Sequence, residues 1–311
     1  DIIEWLTEQT WCSGEVGMMG ISWGGFNSLQ VAAMRPIPLK AIITVCSSAD
    51  RFADDIHYKG GCLLGTNFTW AGRMLSYSSR PPDPQIFGDG WREEWLHRLE
   101  HIPLLADTWL LNQKRGEYWK HGSICEDFNA INAAVLAVGG WHDGYRNTVS
   151  KLVSNLKTPV KGIVGPWNHR YPHLAQPEPK IGFLQEALRW WDRWLKNIDT
   201  GVELDPDYRL FVMDSIKPER HLKYRSGKWK SIQDNCLQAM SAEKLFLGDG
   251  KLGDLEKISS EFLEILPDLN IGRNTGEFFP YNFGPELPDD QSVDDQKSLC
   301  FDGRILENGK S

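Results

Sequence analysis

The run Val16-Gly-Met-Met-Gly-Ile-Ser-Trp-Gly-Gly25 narrows the choice of folds more than any other segment. A short apolar stretch breaks at a glycine, presents Ser22, and continues through Gly24 and Gly25 into a helix-like segment. A serine on a tight strand-to-helix turn is pushed out above the sheet edge, the geometry of a nucleophile elbow. Small residues are needed beside it, and bulk at Gly20 or Gly24 is expected to collide with neighbouring backbone. With 29 glycines in 311 residues, a bare G-x-S-x-G arises by chance in roughly one such chain in six, so its surroundings have to discriminate.

Those surroundings alternate helix and strand. Ile2 to Thr10 reads as a helix, Val16 to Met19 as a strand, Gly24 to Met34 as a helix and Lys40 to Cys46 as a strand. The β-branched run Ala41-Ile-Ile-Thr-Val45 belongs to a strand buried on both faces, which predicts a parallel sheet covered by helices on both sides. The pattern resumes with strands at Ala133 to Val138 and Val160 to Gly165, and with helices at Tyr145 to Asn155 and Ile181 to Leu195. In the last of these, Leu184, Ala187, Leu188, Trp191, Trp194 and Leu195 recur at helical spacing and are expected to face the sheet.

Between these two α/β stretches lies a tryptophan-rich region of short helical pieces holding Trp70, Trp91, Trp95, Trp109 and Trp119. It reads as an inserted helical cap, with Trp91, Trp95 and Leu99 on one packing face. The predicted organisation is therefore an α/β domain from 1–49 and 128–200, a cap from 50–127, a linker at 199–206 and an all-β sandwich from 207–311. The β region rests on strand candidates at Tyr208 to Met213, Lys244 to Leu247 and Ser298 to Phe301, separated by turn signals.

Composition removes several classes. A net charge of -8 without a dense Lys/Arg stripe repels a phosphate backbone, so no nucleic-acid partner is expected. No apolar run approaches bilayer length, so no membrane role is expected. The six cysteines lack metal or disulfide spacing, which predicts reduced, mostly buried thiols, a cytoplasmic setting, and neither metal nor cofactor. Oligomeric state leaves no readable mark.

A serine hydroxyl needs a base to take its proton and a carboxylate to orient that base. Two later strands run into suitable groups, Gly139-Gly-Trp-His-Asp-Gly144 and Gly165-Pro-Trp-Asn-His169. Open α/β sheets gather their sites at the carboxyl ends of strands, so Ser22, Asp143 and His169 are predicted to meet there as nucleophile, orienting acid and general base. Asp50 is the rival acid, and His142 and His173 are the rival bases. The amide of Trp23 is the expected oxyanion donor. Trp23, Trp141 and Trp167 are expected to wall the substrate pocket.

With those segments and with His57-Tyr-Lys-Gly-Gly-Cys62, Ser78-Ser-Arg-Pro-Pro-Asp-Pro84, Tyr118-Trp-Lys-His-Gly-Ser123 and Asp294-Asp-Gln-Lys-Ser-Leu299, the chain resembles the cocaine-esterase and X-prolyl dipeptidyl-peptidase-like serine hydrolases. That group also holds glutaryl-cephalosporin acylases and α-amino-acid ester hydrolases. The resemblance implies an α/β-hydrolase fold, an inserted helical cap and a C-terminal jelly roll, with Ser22, Asp143 and His169 in the catalytic roles and Trp23 at the oxyanion. It also implies a second oxyanion donor, a tyrosine hydroxyl, that has no counterpart here, and a chain covering roughly the middle half of a usual member.

The function expected is hydrolysis of small ester, amide or short-peptide substrates through an acyl-enzyme on Ser22. An X-prolyl dipeptidyl aminopeptidase is the alternative within the class. It requires an acidic anchor for a free amine, for which Glu93, Glu94 and Glu126 are candidates. A non-catalytic binding module with a vestigial triad is the alternative outside it.

Overall fold

The computed structural model describes residues 1–233, 244–248, 250–253, 262–266, 268–280 and 286–304. At its centre is a six-stranded sheet. Its strands are β1 (Val16–Ile21), β2 (Leu39–Val45), β3 (Ala134–Gly140), β4 (Val160–Gly165), β5 (Tyr208–Met213) and β6 (Gly227–Ile232), lying side by side in that order. The first five are parallel and β6 returns antiparallel to β5. This is a mixed α/β fold with a mostly parallel sheet.

Alternation along the strands builds two cores. Ile42, Val135, Ala137 and Val164 point to one face, where Leu29 and Ala32 of α2 (Trp23–Ala33) meet Val149, Leu152 and Val153 of a later helix, Thr148–Asn155. Ala41, Ile43, Val45, Leu136, Val138 and Ile163 point to the other, beneath Phe183, Ala187 and Trp190 of the helix Phe183–Lys196. Each aliphatic side chain buried this way contributes on the order of 2 kcal/mol, so both faces must be covered for the central strands to be stable. A short helix α1 (Ile2–Thr7) precedes β1.

The tryptophan-rich segment supplies α3 (Gly65–Ser78), α4 (Trp91–His101) and α5 (Leu105–Leu111). Two further helices follow, α6 (Thr148–Asn155), which packs on β3 and β4, and α7 (Phe183–Lys196), which packs on β1 and β2. Trp91 stacks on Trp95 with centroids 6.2 Å apart, and the Trp95 indole donates to the Ser79 carbonyl at 2.8 Å. No residue of α4 is fully buried. Among the described residues no helix is long and apolar enough to cross a membrane.

Several expectations change. The strand Tyr208–Met213, placed by sequence at the start of a separate β domain, pairs with β4 and extends the central sheet. Its residues alternate in burial like any strand's, and only pairing partners far along the chain tell the two situations apart. Lys244 to Leu247 contributes a two-residue strand, Phe246–Leu247, paired with Leu252–Gly253. Ser298 to Phe301 is not a strand, although Asp302 bridges to Lys251. On α7, Leu184 and Leu188 are exposed, and the buried stripe runs through Phe183, Ala187 and Trp190 instead. Of the five described cysteines only Cys46 is buried, and Cys236 lies outside the described residues.

Candidate active site

Ser22 sits between the end of β1 and the start of α2 with φ 60° and ψ -125°, a backbone conformation that L-residues rarely adopt. Its amide is held by the carbonyls of Val45 (2.9 Å) and Cys46 (3.1 Å) at the end of β2. Crowding explains two of the flanking glycines. A Cβ on Gly20 would lie 2.2 Å from the Gly24 carbonyl carbon, and one on Gly25 would lie 2.8 Å from the Ser47 Cβ. Gly24 itself faces open space, so the expected collision belongs to Gly25. Trp23 opens α2, and first-turn amides have no acceptor within their own helix.

Asp143 and His169 follow the ends of β3 and β4. Their loops are joined by backbone hydrogen bonds from Trp141 to the Gly165 carbonyl (2.9 Å) and from His142 to the Trp167 carbonyl (3.0 Å). Asp143 is fully buried and His169 is 5% exposed, and Nδ1 of His169 lies 2.8 Å from Oδ1 of Asp143. The imidazole is packed between the rings of Tyr145 (5.7 Å) and Phe279 (5.2 Å), and its amide donates to the Pro280 carbonyl at 3.1 Å. Burial at this level permits few alternative rotamers.

Ser22 and His169 line the same cavity of about 380 Å³, together with Trp23, Trp70, Arg73 and Tyr171. Ser22, Trp23, Trp70 and Arg73 also line a larger cavity of about 800 Å³. Its walls include Trp70, Met74 and Trp109 from the inserted segment and Tyr145, Phe278 and Phe279 from later in the chain. Arg51 and Asp55, also on its wall, pair with each other. His57 at its edge is sealed between Trp109 and Trp119, and burial lowers its pKa.

The rivals are committed elsewhere. Asp50 accepts from the amides of Phe52 and Ala53 and from Arg115. Burial alone would raise its pKa, but these donors hold it below the usual carboxylate range. Burial, helped by the positive charges of Arg225 and Arg146, pushes His142 down to about 4, and neither cavity at Ser22 includes it. The His173 ring stacks on Phe183. Glu94 pairs with Arg98 and Glu126 with Arg115, and neither these nor Glu93 line the two cavities.

Trp141 and Trp167 also differ from expectation. The Trp141 indole donates to the Phe211 carbonyl at 2.7 Å and packs into the core beneath the sheet, while Trp167 is 1% exposed and donates to the Pro179 carbonyl at 2.8 Å. Neither lines a cavity at Ser22; the indole N–H of Trp141 turns to a strand carbonyl and that of Trp167 to the loop carbonyl of Pro179. The aromatic wall comes instead from Trp23, Trp70, Trp109 and Phe279. A signal for Trp70 and Trp109 was present in the tryptophan-rich insertion, but nothing local shows which of its indoles turn toward Ser22. Among the described residues, no group of three Cys, His or acidic side chains other than Cys46, Asp143 and His169 comes close enough to share an ion.

The mixed α/β fold thus carries a strained serine turn and a buried imidazole–carboxylate pair at the strand ends of a mostly parallel sheet. Residues 1–171 match the X-Pro dipeptidyl-peptidase (S15) family, and the chain belongs to that family. A cocaine esterase from Rhodococcus sp. (strain MB1 Bresler) is 28% identical, the match covering 68% of this chain and 43% of the esterase. The fold resembles a CocE/NonD-family hydrolase from Staphylococcus aureus, with a TM-score of 0.55 at 16% identity over 82% of this chain and 41% of that one. It also resembles an α-amino acid ester hydrolase, with a TM-score of 0.51 at 16% identity over 82% and 45% of the two chains. The chain thus spans about two-fifths of the length of the curated relative it matches. The relatives are hydrolases of esterase and peptidase type.

Proposed function

We propose that the chain carries the acyl-transfer site of a serine hydrolase acting on small esters or amides. The observation that carries this reading is the strained Ser22 turn sharing a cavity with the buried His169–Asp143 pair. Ser22 Oγ attacks the substrate carbonyl while His169 takes the hydroxyl proton. The tetrahedral oxyanion accepts a hydrogen bond from the Trp23 amide. Collapse expels the alcohol or amine, which leaves with the proton held by His169. Water then attacks the acyl-enzyme, giving its proton to His169 and releasing the acid as Ser22 regains a proton. Asp143 holds the imidazole in the tautomer with Nδ1 protonated and steadies the imidazolium between the two proton transfers.

The segment 50–127 acts in this reading as the cap, because Trp70, Arg73, Met74, Leu105 and Trp109 all reach the larger cavity. The first strands of the β domain expected from 207, β5 and β6, belong in this reading to the hydrolase sheet. A second reading, removal of an N-terminal dipeptide after proline, is favoured by the acidic Glu277 on the wall of the same cavity, where a free amine would be held. Comparing turnover of a p-nitrophenyl ester with that of an Ala-Pro anilide separates the two. Fluorophosphonate labelling tests the common core. Ser22 is expected to be the labelled residue, and labelling that persists in Ser22→Ala would refute the assignment.

A further inference from the structure

One oxygen of the buried Asp143 carboxylate is bonded to His169, and Oδ2 has no hydrogen-bond partner among the described residues. A bare anionic oxygen in a dry interior is costly and invites a compensating donor. The neighbouring group is a thiol. Sγ of Cys46, a carboxylate oxygen of Asp143 and a ring nitrogen of His169 all lie within 4.8 Å of one another.

Cys46 is held firmly in this place. It follows β2 directly, adopts φ 46° and is 2% exposed. Its amide donates to the Val138 carbonyl of β3 at 2.8 Å, and its carbonyl accepts from the Ser22 amide at 3.1 Å. One residue thus touches the nucleophile's backbone and the strand that leads to the acid, and its thiol lies within 4.8 Å of the acid itself. Burial first, and the negative charge of Asp143 second, raise the thiol pKa well above its usual range. The group therefore stays protonated and can donate, weakly, to oxygen.

We infer that Cys46 is a positioning residue for the hydrolytic reaction, its S–H facing the second oxygen of Asp143 and setting how strongly that carboxylate holds the His169 imidazole. The inference rests on the proposed roles of Ser22 and His169. Other charged or titratable groups surround the pair. Arg146 reaches the Asp143 carbonyl (3.3 Å), Lys59 the Gly144 carbonyl (2.6 Å), and Tyr145 the His169 ring. The thiol has two acceptors in range, Asp143 and the Arg170 carbonyl, to which Sγ donates at 3.9 Å; Tyr171 lies near the thiol, and His142 adjoins Asp143 in the chain. All of these remain when Cys46 alone is changed.

The test compares the pH dependence of kcat/KM for a p-nitrophenyl ester in the full chain, Cys46→Ala and Cys46→Ser, with fluorophosphonate labelling and thermal melting alongside. Removing the donor leaves the carboxylate more attractive to the imidazolium proton, so in Cys46→Ala the midpoint of the acidic limb is expected to rise by roughly half a pH unit. A hydroxyl donates more strongly than a thiol, so Cys46→Ser is expected to move the midpoint the other way. A merely structural role would lower amplitude or melting temperature without this opposed pair of shifts. Coincident midpoints, or displacement of both variants in one direction, would overturn the inference. If Cys46→Ala does not fold, the near-isosteric serine variant decides by itself, an unmoved midpoint counting against. Absence of labelling in the unaltered chain would instead overturn the underlying assignment of Ser22, and this inference with it.

Discussion

A Cβ placed on Gly140 would lie 2.1 Å from the carbonyl oxygen of Trp167, so the strand leading to Asp143 and the loop leading to His169 touch backbone to backbone. No side chain is tolerated between them. The 2.8 Å bond from His169 to Asp143 depends on that approach.

Gly140→Ala is therefore expected to part the two loops. Overpacking of this kind costs about 1–3 kcal/mol, readable as a lower urea midpoint. Ester turnover should fall further than the stability loss explains, because the imidazole loses its orientation. Wild-type turnover in a folded Gly140→Ala variant would show that the close approach has no part in the site.

The strain at Ser22 predicts an opposed pair of effects. A residue held in such a conformation costs on the order of 1–3 kcal/mol, most of which glycine avoids at some entropic expense. Ser22→Gly should unfold about 1 kcal/mol later than the parent while losing turnover by several orders of magnitude. Calorimetry or urea unfolding beside an ester assay checks both halves, and a destabilised Ser22→Gly would contradict the strain argument.

His142 sets an acid sensitivity in the fold. Burial and the nearby Arg225 and Arg146 push it down to about 4, well below the ordinary histidine range. The unfolded chain takes up this proton first, so the contribution is complete above about pH 6.5 and is lost as pH falls toward 4. The loss amounts to at most about 3 kcal/mol. Urea unfolding at pH 7, 5 and 4 should show a shallower decline in His142→Gln than in the parent, and identical slopes would remove His142 from the account.

Trp70 lies edge-on to Trp23 with centroids 5.6 Å apart, and both line the cavities at Ser22. Replacing Trp70 or Trp109 by Ala should lower kcat/KM for a bulky aromatic acyl ester about tenfold or more while changing acetate ester turnover little. Equal losses on both substrates would mean that these indoles support the cap rather than contact the acyl group.

Much of the local framework was legible in the residues themselves. The glycine-flanked Ser22 marks a turn between a strand and a helix, and β1, α2, β2, β3 and β4 fall within a few residues of their expected bounds. Such features follow from short-range sterics and periodicity, which a sequence displays directly. Asp143 and His169 stood out for the same reason, as polar groups where apolar strands end.

What the chain's residues determined by themselves was the order of strands and helices and which polar groups stop at a strand end. The tertiary structure alone decided that Tyr208–Met213 joins the central sheet, that Trp141 and Trp167 turn into the core, and that Trp70 and Trp109 wall the cavity in their place. It also decided that a buried thiol lies beside the Asp143–His169 pair. Each of these depends on partners far apart along the chain, brought together by burying two faces of one sheet, and no local pattern encodes which distant surface a side chain will meet.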